Sequence, residues 1–264
     1  MSSPEGTAPA PKVALADLVS HLDQYLEAAR FEDYAPNGLQ IEGRDRIKKI
    51  VTGVSACSEL FDRADEIGAD AVLVHHGLFW KSTPLTLTGI QYQRVARLMR
   101  SEISLIAYHL PLDAHPEIGN NALAARALGL GQLSRFGEAN GNPIGFCGAF
   151  DQPVSAVELA TRCSEVFTQE PQLLGADSAA RIRTVGLVSG AAQELLREAI
   201  STGLDAFITG EASEWVTNLS REAGLCYVAA GHYATEKLGI RALGDYLSRK
   251  FMLEVQFVDI PNPV

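Results

Sequence analysis

No stretch of this sequence approaches the run of about 18–20 apolar residues that a membrane-crossing helix needs, so neither a transmembrane helix nor a membrane partner is expected. Basic residues are scarce as well. Lys and Arg number 22 against 32 Asp and Glu, a formal net charge of −10. Phosphate backbones are bound by clustered Lys and Arg, and the densest basic patch, GRDRIKK (Gly43–Lys49), is itself interrupted by an Asp. A nucleic-acid partner is therefore not expected. Only four cysteines occur, Cys57, Cys147, Cys163 and Cys226, far apart and without a C-x-x-C pair. That spacing argues for free thiols in a reducing cytoplasm over disulfides. The opening residues, MSSPEGTAPAPK, lack the basic cluster and apolar stretch of a signal peptide. Their Pro, Ala, Ser and Gly content predicts a disordered tail over residues 1–11. No P-loop or other motif that reads guanine or a triphosphate is present.

What the chain does have is a mixed helix and strand rhythm. Its 264 residues suffice for one large domain or two ordinary ones, and 47% hydrophobic content supports a buried core. Leu15, Leu18, Val19, Leu22, Tyr25, Leu26 and Ala29 recur at helical spacing, predicting a helix over Leu15–Ala29. KKIVTGVSA reads as a strand and SELFDRADEIG as a short helix, with Ser58 as its cap and Gly68 as its stop. AVLV is the next strand, so the segment is a βαβ unit with buried parallel strands.

The same unit recurs. Residues 51–80 align without a gap on residues 186–215, with eight of thirty positions identical: Ala56/Ala191, Glu59/Glu194, Leu60/Leu195, Ala64/Ala199, Gly68/Gly203, Asp70/Asp205, Ala71/Ala206 and Trp80/Trp215. Downstream, SLIAYHLPLDAH and CYVAAGHYATEK each run from an apolar strand into His-x-x-x-carboxylate. The predicted fold class is α/β, built as two related α/β halves, 12–130 and 131–264, with the division inside residues 126–150. Whether the last helix, near 234–250, packs back on the first half is left open. Ligands of open α/β sheets lie at the carboxyl ends of the strands, which points to one site shared between the halves.

The candidate site residues stand at those ends. His75 and His76 close one strand, and the following Gly77 offers a turn that would aim both imidazoles one way. They would reach two neighbouring ions, or one would bind while the other packs, or both would simply finish the strand. His109 and Asp113 follow in HLPLD, where Pro111 predicts an extended or turn segment in place of a helix. His109 is open to ligation, to supporting a ligand, or to capping the strand. A helix is expected after it, around NNALAARALG, with Asn120 or Asn121 as cap and Gly129 as stop. His232 and Glu236 would share one face at the start of an amphipathic helix in GHYATEKLGIRALGDYLSRK. Each pair alone has an ordinary structural reading, but four of the six histidines follow apolar strands. Imidazole with carboxylate suits zinc, manganese, iron, nickel or cobalt.

At these residues the sequence resembles a known family, the dinuclear-metal proteins called GTP cyclohydrolase 1 type 2 homologues, or Ngg-interacting-factor-three-like proteins. The resemblance lies in PNGLQ (Pro36–Gln40), GADAVLVHHGLFW, AYHLPLDAHPEIGNNALAARALG, DAFITGEASEW and AAGHYATEKLGIRAL, in order across nearly the whole chain. The chain looks like the short form, without an extra domain between the halves. The resemblance implies two divalent ions in a cleft between two α/β domains, with His75, His76, Asp113, His232 and Glu236 as ligands. It places His109 and Glu211 near the metals as candidates for proton transfer, and Asn37 on the same crevice. Tyr233 and Asn218 depart from the pattern, standing where relatives often have histidine. It further implies a ring-shaped homohexamer, a trimer of dimers. The activity expected from it is metal-dependent hydrolysis of a nucleotide or related small metabolite, of the GTP cyclohydrolase kind. A pair of divalent ions can supply the nucleophile for such chemistry at neutral pH. The competing class is a non-catalytic metal-binding oligomer, a scaffold or regulatory protein, which the acidic balance fits equally well. A nucleic-acid clamp, suggested by the ring, conflicts with the charge.

Overall fold

The structure, a computed structural model, describes residues 12–84, 86–175, 177 and 180–264. The tail expected over 1–11 lies outside the described residues. β1 (Val13–Ala14) leads into α1 (Leu15–Tyr25), β2 (Gly38–Ile41), β3 (Arg46–Ile47), β4 (Lys49–Ser55), α2 (Ser58–Ile67) and β5 (Ala71–His76). α3 (Gly89–Arg100), β6 (Ser104–Ala107), α4 (Leu110–Ala114) and α5 (Asn120–Ala127) follow. The chain then forms β7 (Gly131–Ala139), β8 (Asn142–Ser155), α6 (Ala156–Phe167), β9 (Gln172–Leu174), β10 (Arg181–Leu187), α7 (Leu196–Ser201) and β11 (Ala206–Thr209). It ends with α8 (Glu214–Ala223), β12 (Cys226–Ala229), α9 (His232–Thr235), α10 (Lys237–Phe251) and β13 (Glu254–Phe257).

The fold is α/β, with two main sheets ordered β13-β4-β5-β6-β2 and β7-β8-β10-β11-β12-β9. Each is built around three parallel strands, β4-β5-β6 and β10-β11-β12. Their registers match the sequence alignment, because Ile50 pairs with Ala71 and Val185 with Ala206. The crossover turns match too. Gly68 and Gly203 both adopt φ 70°, a left-handed stop that a Cβ disfavours. Asp70 Oδ2 accepts the backbone N–H groups of Lys48 (2.8 Å) and Lys49 (2.9 Å). Asp205 Oδ2 accepts those of Arg183 (2.9 Å) and Thr184 (2.8 Å). Each carboxylate thus fastens its strand to the preceding one.

Apolar clusters cover both faces of each sheet, as parallel strands require. Leu18 and Leu22 of α1 join Ile240, Leu243 and Leu247 of α10 over one face of the first sheet. With β13 beside β4, residues 237–257 of the expected second half pack on the sheet of the first. Among the described residues no helix is long and apolar enough to cross a membrane.

Several local expectations are corrected. α1 ends at Tyr25 and not at Ala29, because Glu27 turns left-handed at φ 51° and residues 28–30 form a separate 3₁₀ turn. Ser58 is the first residue of α2 and not its cap, which is Cys57. Pro111 does not prevent a helix: α4 holds it in the first turn, where its missing N–H is not needed. Asn120 and Asn121 are buried within α5, whose cap position is Gly119. Gly129 does lie just past the end of that helix, left-handed at φ 85°. The expected amphipathic helix at 231–250 is interrupted at Glu236, leaving α9 as a single turn before α10.

Candidate metal centre

The carboxyl ends of the parallel strands of both sheets deliver their next residues to one place. β5 ends in His75 and His76, β6 leads to His109 and α4, and β12 leads to His232 and α9. The two adjacent imidazoles converge, with ring centroids 4.7 Å apart. Gly77 does this without entering the left-handed region; its missing side chain leaves room for Gln40, whose Oε1 accepts the Leu78 N–H. The spacing of His109 and Asp113 becomes one helical turn, with the Asp113 N–H donated to the His109 carbonyl at 3.2 Å. Strand register sets the two His-x-x-x-carboxylate runs one residue apart. His109 occupies the cap of α4, whereas Gly231 occupies that of α9 and His232 comes next.

All four imidazoles are anchored through Nδ1. His75 Nδ1 bonds the Tyr108 carbonyl at 3.0 Å, His76 Nδ1 bonds Ser55 Oγ at 3.2 Å, His109 Nδ1 bonds Asp33 Oδ1 at 2.7 Å, and His232 Nδ1 bonds Glu211 Oε1 at 2.6 Å. A carbonyl or carboxylate acceptor at Nδ1 places the proton there and leaves Nε2 with its lone pair, the arrangement of a metal-ligating imidazole. The free nitrogens of His75, His76 and His232 gather around Glu236. Oε1 lies 3.5 Å from His75 Nε2 and 3.3 Å from His232 Nε2, while Oε2 lies 3.2 Å from His76 Nε2. Asp113 Oδ2 stands 3.5 Å from His75 Nε2. Its other oxygen accepts from Asn120 Nδ2 (2.8 Å) and Ser189 Oγ (3.0 Å).

Three sets of donor atoms lie within 4.8 Å of one another: His75, Asp113 and Glu236; His76, His232 and Glu236; and His75, His76 and His109. Two buried atoms at the centre, His75 Nε2 and Glu236 Oε2, make no hydrogen bond among the described residues. Buried polar atoms are rarely left so. Donors about 2.1 Å from a tetrahedral ion stand about 3.4 Å from each other, which is the separation seen here. The donor set fits divalent cations.

The electrostatics agree. Glu236 and Asp113 are buried, and neither pairs with a Lys or Arg among the described residues. Burial of Glu236 opposes its charge, but His76, His75 and His232 hold its carboxyl well below the usual range. Burial of His75 disfavours its cation, yet Asp113 and Glu236 lift it to about 9. His232 is likewise raised to about 9 against its burial, by Glu236 and Glu211. His76 is lowered, burial outweighing Glu236. The carboxylates thus demand positive charge, which protons or divalent ions can supply in competition.

A cavity of about 840 Å³ opens above this floor and is lined by His76, His109, Asp113, His232 and Glu236 together with Trp80. Trp80 packs against the rings of His76 and His109, at 5.6 and 5.2 Å between centroids. The expected residues do not all face it. Glu211 is not among the residues lining the cavity; it acts on His232. Asn37, expected on the crevice, is a brace: its Oδ1 accepts the His109 N–H (2.8 Å) and its Nδ2 donates to Asp33 Oδ2 (2.9 Å). Tyr233 points away and donates to Asp259 Oδ1, tying down the end of the chain. Asn218 is exposed on α8. Sequence reasoning missed Asp33. Burial alone would raise this group, but His109, Asn37 and the Leu110 N–H bring it down to about 2. Its one sequence signal is its place four residues before Asn37. Ser55, Asn120 and Ser189 were missed as well.

The family model for Duf34/NIF3 (NGG1p interacting factor 3) matches residues 13–263. A Pseudomonas aeruginosa protein named GTP cyclohydrolase 1 type 2 homolog is 44% identical over 251 residues, 95% of this chain and 99% of that one. The Escherichia coli K12 protein of the same name is 42% identical over 247 residues, 94% and 98% of the two chains. Among solved structures, protein ybgI, described as of unknown function, superposes with a TM-score of 0.88 at 42% identity, covering 96% of this chain and 100% of that one. TTHA1606 from Thermus thermophilus gives 0.87 at 35% identity, with the same coverage.

Proposed function

The chain belongs to the Duf34/NIF3 family, and from that premise we propose that it is a dinuclear metal-binding protein acting as a metal-dependent hydrolase on a nucleotide or related small metabolite. One observation carries the reading. Glu236 is common to two donor sets, His75/Asp113/Glu236 and His76/His232/Glu236, at the floor of a cavity large enough for a nucleotide-sized molecule. Its Oε1 faces His75 and His232 and its Oε2 faces His76, so one carboxylate would serve both sets. A GTP-like substrate is suggested by the name that the curated relatives bear.

Two divalent ions, when bound, would supply Lewis acidity and a nucleophile drawn from water at neutral pH. His75, His76, Asp113, His232 and Glu236 would hold them. The chain's own part in the reaction centres on His109. Its Nδ1 is fixed by Asp33, its backbone N–H by Asn37, and its ring forms part of the cavity wall. Nε2 is thereby presented to a bound molecule, and His109 would move the proton of the hydrolytic step, its ring held in place by Asp33. Glu211 serves as a positioning residue for His232. Trp80 shields His76 and His109 from water.

The protein is further proposed to act in the cytoplasm, where its four free thiols would stay reduced, and to assemble as a homo-oligomer, a hexamer by resemblance. The apolar side chains of Ile90, Tyr92 and Met99, exposed along α3, suit such a contact. The test is elemental analysis of protein purified without chelator, with turnover measured on a panel of nucleotides and phosphoesters. About two ions per chain are expected, with turnover lost in His76→Ala and in Asp113→Ala. Turnover that persists in both variants would sink the hydrolase. Full metal loading without turnover on any substrate would favour the non-catalytic scaffold.

A further inference from the structure

The cavity above the metal centre is strongly acidic in its walls. Asp113, Glu138, Glu194 and Glu236 all line it, and against these four carboxylates stands a single Lys or Arg among its described lining residues, Arg94. Arg94 lies on α3, and its side chain forms no ion pair with any carboxylate among the described residues. Its Nε is buried and has no hydrogen-bond partner. Other arginines nearby are engaged: Arg97, three residues on, pairs with Asp62, Arg63 with Glu66, and Arg44 with Asp70. Arg97 also has a bare Nε, but its charge is met.

A guanidinium in a cavity wall, turned to no acid of its own chain, is a recognition group awaiting a planar or tetrahedral oxyanion. Its support is rigid. Gln91, on the same face of α3, donates Nε2 to the Leu78 carbonyl at 3.2 Å and so joins the helix to the segment carrying Trp80. The cavity therefore offers an aromatic wall at Trp80, a metal-binding floor and one fixed cation at its side.

We propose that Arg94 is the anion-binding residue of this cavity, holding a phosphate or carboxylate group of the molecule that the site takes. The inference rests on that reading of the cavity as a small-molecule site, and it adds the residue that holds the molecule's anionic group. Among the described lining residues no other Lys or Arg is there to meet such a group, so Arg94 is the side-chain cation whose loss the anion would feel, beyond any attraction to the floor.

The test is isothermal titration of inorganic phosphate, and separately of malonate, into the metal-loaded full chain, its Arg94→Gln and Arg94→Lys variants, and the chelated wild type. Wild type is expected to bind at least one of the two anions, the tighter one naming phosphate or carboxylate as the recognised group. Arg94→Gln is expected to weaken that binding about tenfold or more, with metal content unchanged, and Arg94→Lys to restore part of it through charge without the planar fork. Equal affinity in Arg94→Gln and wild type, or no binding of either anion to wild type, overturns the inference. Metal content on the same samples keeps the two readings apart. Anion binding that needs Arg94 in a chain that takes up no metal would sustain this inference and sink the hydrolase. Metal uptake without anion binding would sink this inference and leave the metal-binding reading standing.

Discussion

The strand ends at Ser55, His75 and His76 and their counterparts at Gly190, Gly210 and Glu211 share a frame and divide the labour. In the first, side chains do the work: His75 and His76 turn Nε2 to Glu236, and Ser55 fixes the outer nitrogen of His76. In the second, side chains are withdrawn. A Cβ on Gly210 would come within 2.6 Å of His232 Cα, and one on Gly190 within 2.4 Å of Glu236 Oε1. The glycines give up volume so that the α9 turn can bring His232 and Glu236 against the histidines of the other sheet. Glu211 retains a functional role by binding His232 Nδ1. One backbone plan thus yields a ligand-bearing end and a receiving end. Neither half could form the donor set alone.

The sharpest way to break this complementarity is to remove the group on which both ends converge. Glu236→Gln keeps the shape and loses the charge that faces three imidazoles. Changes outside the direct ligands commonly cost about 10–100-fold in metal affinity, so this one is expected to cost at least about 100-fold, read by elemental analysis after dialysis. Metal content equal to wild type would show that the two ends do not meet on Glu236. The next largest effect tests the receiving end. In Gly210→Ala the added methyl meets backbone atoms of His232 and Gly190, which cannot rotate away. Overpacking of this kind costs about 1–3 kcal/mol, and metal retention should fall with it although no candidate ligand is changed. Urea unfolding and metal content of that variant at wild-type levels would mean that the space is not needed.

How much of this could be read in the sequence follows from the same contrast. Residues acting within their own strand or turn are legible: the βαβ unit and the paired Gly68 and Gly203 stops. The set of five candidate ligands comes from the family resemblance, with only His75, His76 and His232 signalled locally by the apolar strands that they end or follow. The α4 helix is hidden in the sequence because Pro111 reads as a breaker, although a first-turn position costs it no hydrogen bond. Sequence alone offers Asn120 or Asn121 as a local cap. In the structure Asn120 links Asp113 to the Gly239 N–H, and Asn121 links Ile144 to Ser189. Such roles depend on partners as far as 119 positions away, and no local pattern carries them. Asp33 belongs to the same class, 76 residues from the histidine it holds. Glu211, expected beside the site for proton transfer, instead bonds His232 Nδ1 and does not line the cavity, a direction that no local pattern announces.

The smallest expected effect concerns the shared frame itself. Asp70 and Asp205 perform the same fastening in the two sheets, so Asp70→Ala and Asp205→Ala should each destabilise the fold by about 1–3 kcal/mol, the worth of hydrogen bonds to a charged carboxylate. Asp70 also predicts a pH dependence. Burial favours its neutral form, but the N–H groups of Lys49 and Lys48 and the Arg44 guanidinium hold its carboxyl below the ordinary value. A carboxyl lowered in the folded state contributes stability that is complete above its unfolded value, about 3.9, and that fades as pH falls through the folded one. The deficit of Asp70→Ala against wild type in urea should therefore be full at neutral pH and shrink below about pH 4. A constant deficit would mean that the aspartate acts through shape alone. A much larger loss for one aspartate than for the other would show that the two frames, alike in hydrogen bonding, do not bear equal shares of the stability beneath the metal centre.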